Sequence, residues 1–496
     1  MTPRARRYLS QWVPPLASGA VAALGQAPFG LLPALAVGFA AGFWLWSRCT
    51  DARQAAWFGW RFGTGYFAVT LLWIVEPFLI EPEVFGWMAP FALLFMAGGL
   101  ALFWGLAGFI GRKVGGSGIA YAAALAGAEM LRAYVFTGFP WALASQGLVD
   151  WAAYQAAAWI GSHGVNIAFL VWCAAIPLVM SRRWIVFPLA ITAAAGVFLP
   201  IPKADTEGAP IARVIQPNAT QELKWTEENV RKFFDRQVAL TAVETEQKPD
   251  LVVWPETAVP FLLEYADPAL GYAAARAHGA ELLVGIQRSD GYHYYNSAVV
   301  VTPEGKVDAV YDKYHLVPFG EYMPFQALFD RYGITGLAAI GVGGYSAGTG
   351  PMLVTAPGIG KVLPLICYEA IFPQNIFSAP RPDVIVHLTN DAWFGKFSGP
   401  YQHLAIVRMR AIESGLSVIR SANTGISAVI DPYGNVLGSI PLGQQGLLDM
   451  PVPPARKATL YSRTGDWLGL LLILMIVATA FRFRGPISVD ADAAEA

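Results

Sequence analysis

Charged side chains are scarce in this 496-residue chain: Asp, Glu, Lys and Arg make up 14% of it, where a soluble domain carries roughly 25%. Hydrophobic residues reach 55%, so part of the chain belongs in lipid. The few basic residues stand in short clusters at a formal net charge of -1. No continuous basic stripe offers the electrostatic footprint that nucleic acid requires. Cysteine is nearly absent: Cys49, Cys173 and Cys367 form no CxxC and no regular spacing, which argues against a disulfide framework or a zinc site. His163, His278, His293, His315, His387 and His403 are scattered without HExxH spacing, so no metal is expected. No Walker A or dinucleotide-binding glycine pattern stands at a strand-to-helix junction, and no cofactor is implied.

What the chain does have is long apolar runs. A bilayer core about 30 Å thick needs about 20 apolar residues in a helix. Windows at about 12–26, 29–47, 56–76, 86–110, 118–137, 163–181, 184–200 and 466–481 meet or approach this length, so about eight spans are expected. Arg4, Arg6 and Arg7, Arg48 and Arg53, Arg112 and Lys113, Arg182 and Arg183, and Arg482 and Arg484 fall in every second loop, whereas the loop with Glu76, Glu81 and Glu83 is acidic. Basic loops stay cytoplasmic, which puts both termini inside and the long segment between the last two spans outside. The basic start followed by an apolar stretch resembles a signal peptide, but the further spans favour an anchor. Glu129 and Arg132 lie three residues apart on one helical face within GAEMLRAYVFTGFPW. Such an intramembrane pair either locks helices together or lines a route for lipid headgroups.

Between the seventh and eighth spans the composition becomes that of a globular α/β protein. β-rich runs at 212–217, 251–254, 281–287, 297–302, 307–313, 362–367, 383–389 and 427–432 alternate with polar helical stretches such as TEENVRKFFDRQVALTAVETE and YQHLAIVRMRAIESG, the pattern of sheets covered by helices. PEG at 303–305 and PYGN at 432–435 predict antiparallel returns. The expected division is a transmembrane bundle at 1–204, an α/β domain at 205–455, and a last span with a cytoplasmic tail at 456–496. Residues 490–496, acidic and free of aromatics, read as solvated chain.

Cys49 and Cys173 sit at or in apolar runs and read as buried hydrophobes. Cys367 instead closes the strand VLPLI, as Glu256 follows LVVWP and Lys313 ends VDAVYD; loops past strand ends are where sites are commonly built. A thiol of ordinary pKa, about 8.5, is only a few per cent thiolate at neutral pH, and a nearby ammonium lowers that value. Glu256 is placed to act as general base and Lys313 to stabilise an oxyanion, helped by a backbone N–H near Cys367. The stretch 319–346 combines aromatics and aliphatics with glycines, as in a loop that dips into the membrane surface and gates lipid access; an ordinary packed loop is the alternative.

The flanks WPETAVP, DKYHLVPFGEYMPF and ICYEAIFP resemble the nitrilase superfamily, whose Glu, Lys, Cys triad sits on an αββα sandwich. LTNDAWFG at 388–395, RSANTGIS at 420–427 and FTGFPW at 136–141 extend the resemblance, over nearly the whole chain, to the membrane-embedded apolipoprotein N-acyltransferase family of bacteria. The resemblance implies an α-helical transmembrane bundle carrying a nitrilase-like domain on the periplasmic side of the inner membrane. It implies a ping-pong reaction: Cys367 takes an acyl chain from a phospholipid, typically phosphatidylethanolamine, and yields it to the amine of a diacylglyceryl-cysteine on an apolipoprotein. Glu256 is then the base, Lys313 the oxyanion stabiliser and Cys367 the nucleophile. Glu321, Tyr368 and Glu369 match supporting positions, and Trp225 and Asn296 match positions near the site, where packing roles compete. A membrane-anchored amidase, in which water consumes the thioester, and a receptor or transporter that keeps the fold without the chemistry are the rivals. With no coiled-coil heptad, a monomer is expected.

Overall fold

The computed structural model describes residues 3–180, 182–324, 331 and 344–482. Each apolar window coincides with a helix: Pro3–Ala23, Leu32–Trp46, Ala52–Thr70, Ala89–Val114, Gly118–Arg132, Ala157–Ala175, Val186–Phe198 and Trp467–Arg482. By length and apolarity alone, two helical stretches among the described residues suffice to cross a membrane, Pro82–Val114 and Ala152–Met180. A third qualifies if Ala52–Thr70 and Leu72–Leu79, bent by 50°, count as one span. Leu32–Trp46, Arg183–Phe198 and Trp467–Arg482 are apolar but shorter.

Helices in an apolar solvent associate through close packing of small residues, because lipid tails supply no hydrophobic drive. Ala52–Thr70 is packed this way on both sides. A Cβ on Gly65 would lie 2.1 Å from the Leu16 carbonyl oxygen and one on Gly19 2.1 Å from that of Phe62. On its other face, a Cβ on Gly59 would lie 2.3 Å from the Trp104 carbonyl oxygen and one on Gly108 2.4 Å from that of Ala55. The space between these backbones is filled by Phe39, Phe62, Tyr66, Phe67 and Trp104, all buried.

The Glu129–Arg132 pair resolves into a structural lock. Both residues are 2% exposed; Glu129 accepts hydrogen bonds from the Trp104 indole and from Arg132, and Arg132 also donates to the carbonyls of Phe139 and Trp141. The guanidinium is thus committed to protein partners that seat the FTGFPW segment.

The second unit contains twelve strands. β1 (Ile211–Gln216), β2 (Leu251–Val253), β3 (Glu281–Asp290), β4 (His293–Val301) and β5 (Val307–Asp312) precede β6 (Val354–Ala356), β7 (Gly360–Ile366), β8 (Val384–Thr389), β9 (Ser417–Ala422), β10 (Ser427–Ile430), β11 (Val436–Ile440) and β12 (Gly446–Pro451). They form two six-stranded sheets, ordered β12-β1-β2-β3-β4-β5 and β11-β10-β9-β8-β7-β6. β1, β2 and β3 pair in parallel, as do β7, β8 and β9, while β4–β5 and β10–β11 are antiparallel across the returns at 303–305 and 432–435. Strand alternation sends Val253, Leu283 and Val300 inward against Val362, Val386 and Ile419. The neighbouring Val252 and Leu282 point outward onto Phe234 and Val238 of Glu227–Thr241, and Leu363 and Ile385 onto Val407 and Ala411 of Gly399–Ser414. The result is four layers, helix, sheet, sheet, helix.

Three strands, β6, β9 and β12, lie outside the β-rich runs, and β11 is implied only by the return at 432–435. β6 is three residues long, and β12 carries Gly446, Asp449 and Pro451 in an edge position. β11 is largely exposed, and β9, fully buried, includes Ser417, Arg420 and Ser421, so hydrophobicity marks neither. Most of the glycine-rich 319–346 stretch (325–330 and 332–343) and the acidic tail lie outside the described residues.

Substituting Gly65 with Ala is expected to destabilise the bundle by about 1–3 kcal/mol through overpacking. Gly99→Ala, where a Cβ meets nothing within 4 Å, is expected to be neutral or stabilising through helix propensity. Thermal unfolding of the two variants in detergent checks this, with opposite signs expected.

Candidate active site

Three strand ends converge. β2 runs into Trp254, Pro255 and Glu256; β5 ends one residue before Lys313; β7 ends one residue before Cys367. Glu256 can lie flat on β3 because residue 285 is glycine: a Cβ there would stand 2.3 Å from the Pro255 carbonyl oxygen and 2.7 Å from the Glu256 Cα. Cys367 opens a short 3-10 helix, Cys367–Ile371, with φ at +51°. That left-handed backbone is unusual for a residue with a side chain and costs about 1–3 kcal/mol. It turns the thiol out of the strand direction toward the other two residues.

Burial defines the electrostatics. Glu256, Lys313 and Cys367 are 7%, 1% and 6% exposed. Lys313 Nζ lies 2.8 Å from Glu321 Oε1 and 3.7 Å from Glu256 Oε1. Burial pulls the lysine pKa down, but Glu321, Glu256 and the facing thiol outweigh it and hold the group well above its ordinary value. Asn296 spans the two carboxylates, its Nδ2 donating to Glu256 Oε1 at 2.7 Å and to Glu321 Oε1 at 3.3 Å. Glu256 Oε2 accepts from the Asn390 backbone N–H at 2.7 Å, and Glu321 Oε2 from that of Val317 at 2.8 Å.

The thiol departs from the sequence expectation. An ammonium beside it was expected to lower its pKa; instead burial, with Glu256 adding to it, outweighs Lys313 and pushes the Cys367 thiol far up. The resting Cys367 side chain is therefore a protonated thiol, and a thiol in that state becomes a nucleophile only where a base removes its proton.

Glu369, next but one to Cys367, is a brace. One of its oxygens accepts from Tyr311 Oη and the Tyr314 N–H, each at 2.7 Å, and from the His315 N–H at 3.2 Å; the other accepts from the Ile366 N–H at 2.7 Å. It ties the Lys313 segment to the strand that ends at Cys367. Burial raises its pKa, opposed by these donors and by Lys313. Tyr368 is also buried, its Oη donating to the Gly138 carbonyl at 3.2 Å, and His315 Nε2 donates to the Thr137 carbonyl at 3.0 Å. The FTGFPW segment of the bundle is thereby fastened to the residues flanking both Lys313 and Cys367. Trp225 is 46% exposed and lines a small cleft with Lys224, Glu256 and Thr257.

Several residues at the site were not singled out from sequence. Lys224 Nζ donates to Thr257 Oγ1 at 2.7 Å and to the Glu256 carbonyl at 3.3 Å, and burial lowers its pKa to about 8 against the pull of Glu256. Asn390 and Asn423 link the LTNDAWFG and RSANTGIS segments, with Asn423 Nδ2 donating to Asn390 Oδ1 at 3.0 Å. The histidines are not all scattered, since the rings of His387 and His403 come within 5.1 Å of each other. Both belong to a buried cluster with Asp391 and Arg420. Among the described residues no group of three or more His, Cys, Asp or Glu side chains is arranged to hold a metal ion.

Two outcomes are expected. Alkylation of Cys367 by iodoacetamide should show no inflection near the ordinary thiol value of about 8.5, because a raised pKa keeps the group protonated through that range. A rate profile followed by mass spectrometry between pH 7 and 9 checks it. Gly285→Ala, which must push Glu256 off β3, should cost about 100-fold in acylation rate while the far-UV circular dichroism stays unchanged.

Known proteins resemble both units of the chain. The family model described as carbon-nitrogen hydrolase matches residues 211–459, and that of the apolipoprotein N-acyltransferase N-terminal domain matches residues 18–176. The apolipoprotein N-acyltransferase of Allorhizobium ampelinum is 38% identical over 470 residues, covering 87% of this chain and 88% of the relative. That of Brucella melitensis is 36% identical, covering 93% of each. Among solved structures, an amidase from Nesterenkonia sp. with an acetamide moiety covalently added at its active-site cysteine is 18% identical, with a TM-score of 0.37, and covers 51% of this chain and 93% of its own. With the relatives matched over nearly their full length, the chain belongs to the apolipoprotein N-acyltransferase family and carries a carbon-nitrogen hydrolase domain.

Proposed function

We propose that Cys367 carries the acyl chain between a phospholipid and the N-terminal amine of a diacylated apolipoprotein. The protein is an acyltransferase of lipoprotein maturation, and the observation that carries the residue assignment is the buried convergence of Glu256, Lys313 and Cys367. In the first step Glu256 takes the thiol proton as Sγ attacks the ester carbonyl carbon. The oxyanion that forms is stabilised by Lys313 and by a backbone N–H near Cys367. Collapse breaks the ester C–O bond, and Glu256 returns its proton to the departing glycerol oxygen. In the second step the lipoprotein amine attacks the thioester, Glu256 takes an amine proton, and collapse forms the amide and releases the thiolate, which regains that proton. Splitting one transfer between two bulky lipids into two steps lets each occupy the site in turn. The donor we favour is phosphatidylethanolamine.

The fastening of the FTGFPW segment to Tyr368 and His315 supports lipid access from the bundle side. We read the protein as a monomer spanning the bacterial inner membrane about eight times. The bundle is 1–204, the nitrilase-like domain 205–455 faces the periplasm, and 456–496 provides the last span and a cytoplasmic tail. The alternation of basic loops supports this orientation.

Intact-protein mass spectrometry after incubation with phosphatidylethanolamine tests the chemistry. A gain of one acyl chain, absent in Cys367→Ala and discharged onto a diacylated lipopeptide, is expected. An adduct that water clears equally fast without lipopeptide would favour an amidase, and no adduct under active conditions would end the covalent reading. For topology, a fluorescent-protein fusion at the C-terminus should fluoresce and alkaline phosphatase inserted near residue 205 should be active; the reverse would invert the assignment.

A further inference from the structure

The carbonyl of Cys367 is met by side chains, His387 at hydrogen-bond distance and His403 also acting on it. Because the residue takes a left-handed φ of +51°, its peptide plane is rotated out of the strand pattern and its oxygen must be received elsewhere. His387 of β8 receives it, with Nε2 3.0 Å from the oxygen. The other ring nitrogen, Nδ1, lies 2.7 Å from Arg420 Nη1. A guanidinium only donates, so Nδ1 accepts, the proton of the neutral ring sits on Nε2, and Nε2 donates to the Cys367 carbonyl. Arg420 faces His387 across the parallel β8–β9 register. It is held by Asp391 through Nη2 and by the Ile426 carbonyl, 3.0 Å from Nε. Asp391 is fixed in turn by Thr389 at 3.0 Å and His403 at 2.9 Å. His387, Asp391, His403 and Arg420 are all 0% exposed.

A buried ion pair contributes little net stability compared with apolar packing of the same volume, while its hydrogen bonds define orientation. None of these four side chains is positioned to exchange a proton with substrate. From this geometry we infer that His387 and Arg420 are positioning residues: Arg420 sets the tautomer of His387, and His387 clamps the carbonyl of Cys367 so that Sγ stays aimed at Glu256 and Lys313. The inference rests on Cys367 being the nucleophile. Aim matters more than affinity here, since the clamp touches only the nucleophile's backbone.

The test compares His387→Leu with His387→Gln in the full-length enzyme in detergent, reading the rate of acyl-enzyme formation from phosphatidylethanolamine by mass spectrometry. Gln can donate to the carbonyl and accept from Arg420; Leu can do neither. The Leu variant should lose about 100-fold in the maximal rate of thioester formation, with the half-saturating phospholipid concentration within about threefold of wild type. The Gln variant should recover most of the loss. A Leu variant that acylates at the wild-type rate, or a loss confined to phospholipid affinity, would overturn the clamp. Absence of an adduct in the wild type would instead overturn the role of Cys367 itself. Should the Leu variant fail to fold, nitrogen NMR of wild-type enzyme labelled at histidine decides: His387 protonated at Nε2 alone supports the clamp, and protonation at Nδ1 overturns it.

Discussion

A buried ammonium organises this site. Lys313, at 1% exposure, is a charge that burial alone would neutralise, and it is kept by two carboxylates, Glu321 at 2.8 Å and Glu256 at 3.7 Å. Those carboxylates need partners of their own, and Asn296, Asn390 and Val317 supply them. Glu369 binds the backbone on both sides of the pair. The thiol across from Lys313 follows from the same balance: burial and Glu256 prevail over the ammonium, so Cys367 rests protonated beside a carboxylate. Charge is thus held by the lysine and the carboxylates, and the thiol is kept neutral.

The same site sits where the helical bundle meets the two-sheet domain. Arg132, locked by Glu129, holds the carbonyls of Phe139 and Trp141, and the Trp141 indole reaches Gln402 of the sandwich at 2.7 Å. Gln402 then donates to the carbonyls of Thr70 and Ala27 in the bundle. Further along, helix Ala157–Ala175 breaks at Gly161, whose φ of +67° is not helical, and the Ser162 N–H donates to Glu413 at 3.0 Å. Arg410 pairs with Glu413 at 2.8 Å and donates to the Ile371 carbonyl, four residues past Cys367. The polar groups that a broken helix and a loop would leave unpaired in lipid are satisfied by the catalytic domain, so bundle and sandwich depend on each other.

Much of this was legible in the sequence for identifiable reasons. Reactive side chains just past apolar strands marked Glu256, Lys313 and Cys367, and the two turn motifs marked the hairpins. Glu321 and Asn296, reached only through the family resemblance, lie within hydrogen-bond distance of Lys313 and Glu256 respectively. Asn390 escaped because its backbone N–H, not its side chain, meets Glu256. Arg420 and His387 escaped because a central strand carrying an arginine does not read as a strand, and their partnership exists only across the β8–β9 register. The pKa of the thiol was misjudged because sequence shows the ammonium but not the burial that overrides it. Helix ends in the bundle were blurred by prolines and by short 3-10 segments, such as Leu72–Leu79 with Pro77 inside.

The electrostatics of the site turn on the charge state of Lys313, and nitrogen NMR of enzyme labelled at lysine, followed from pH 6 to pH 11, measures it directly. Retention of the ammonium signal beyond the ordinary lysine value of about 10.4, with loss of that retention in Glu321→Gln, is the predicted result. A Lys313 that deprotonates at or below that value in the wild type would mean that burial outweighs the two carboxylates, and the electrostatic basis of the site would be wrong.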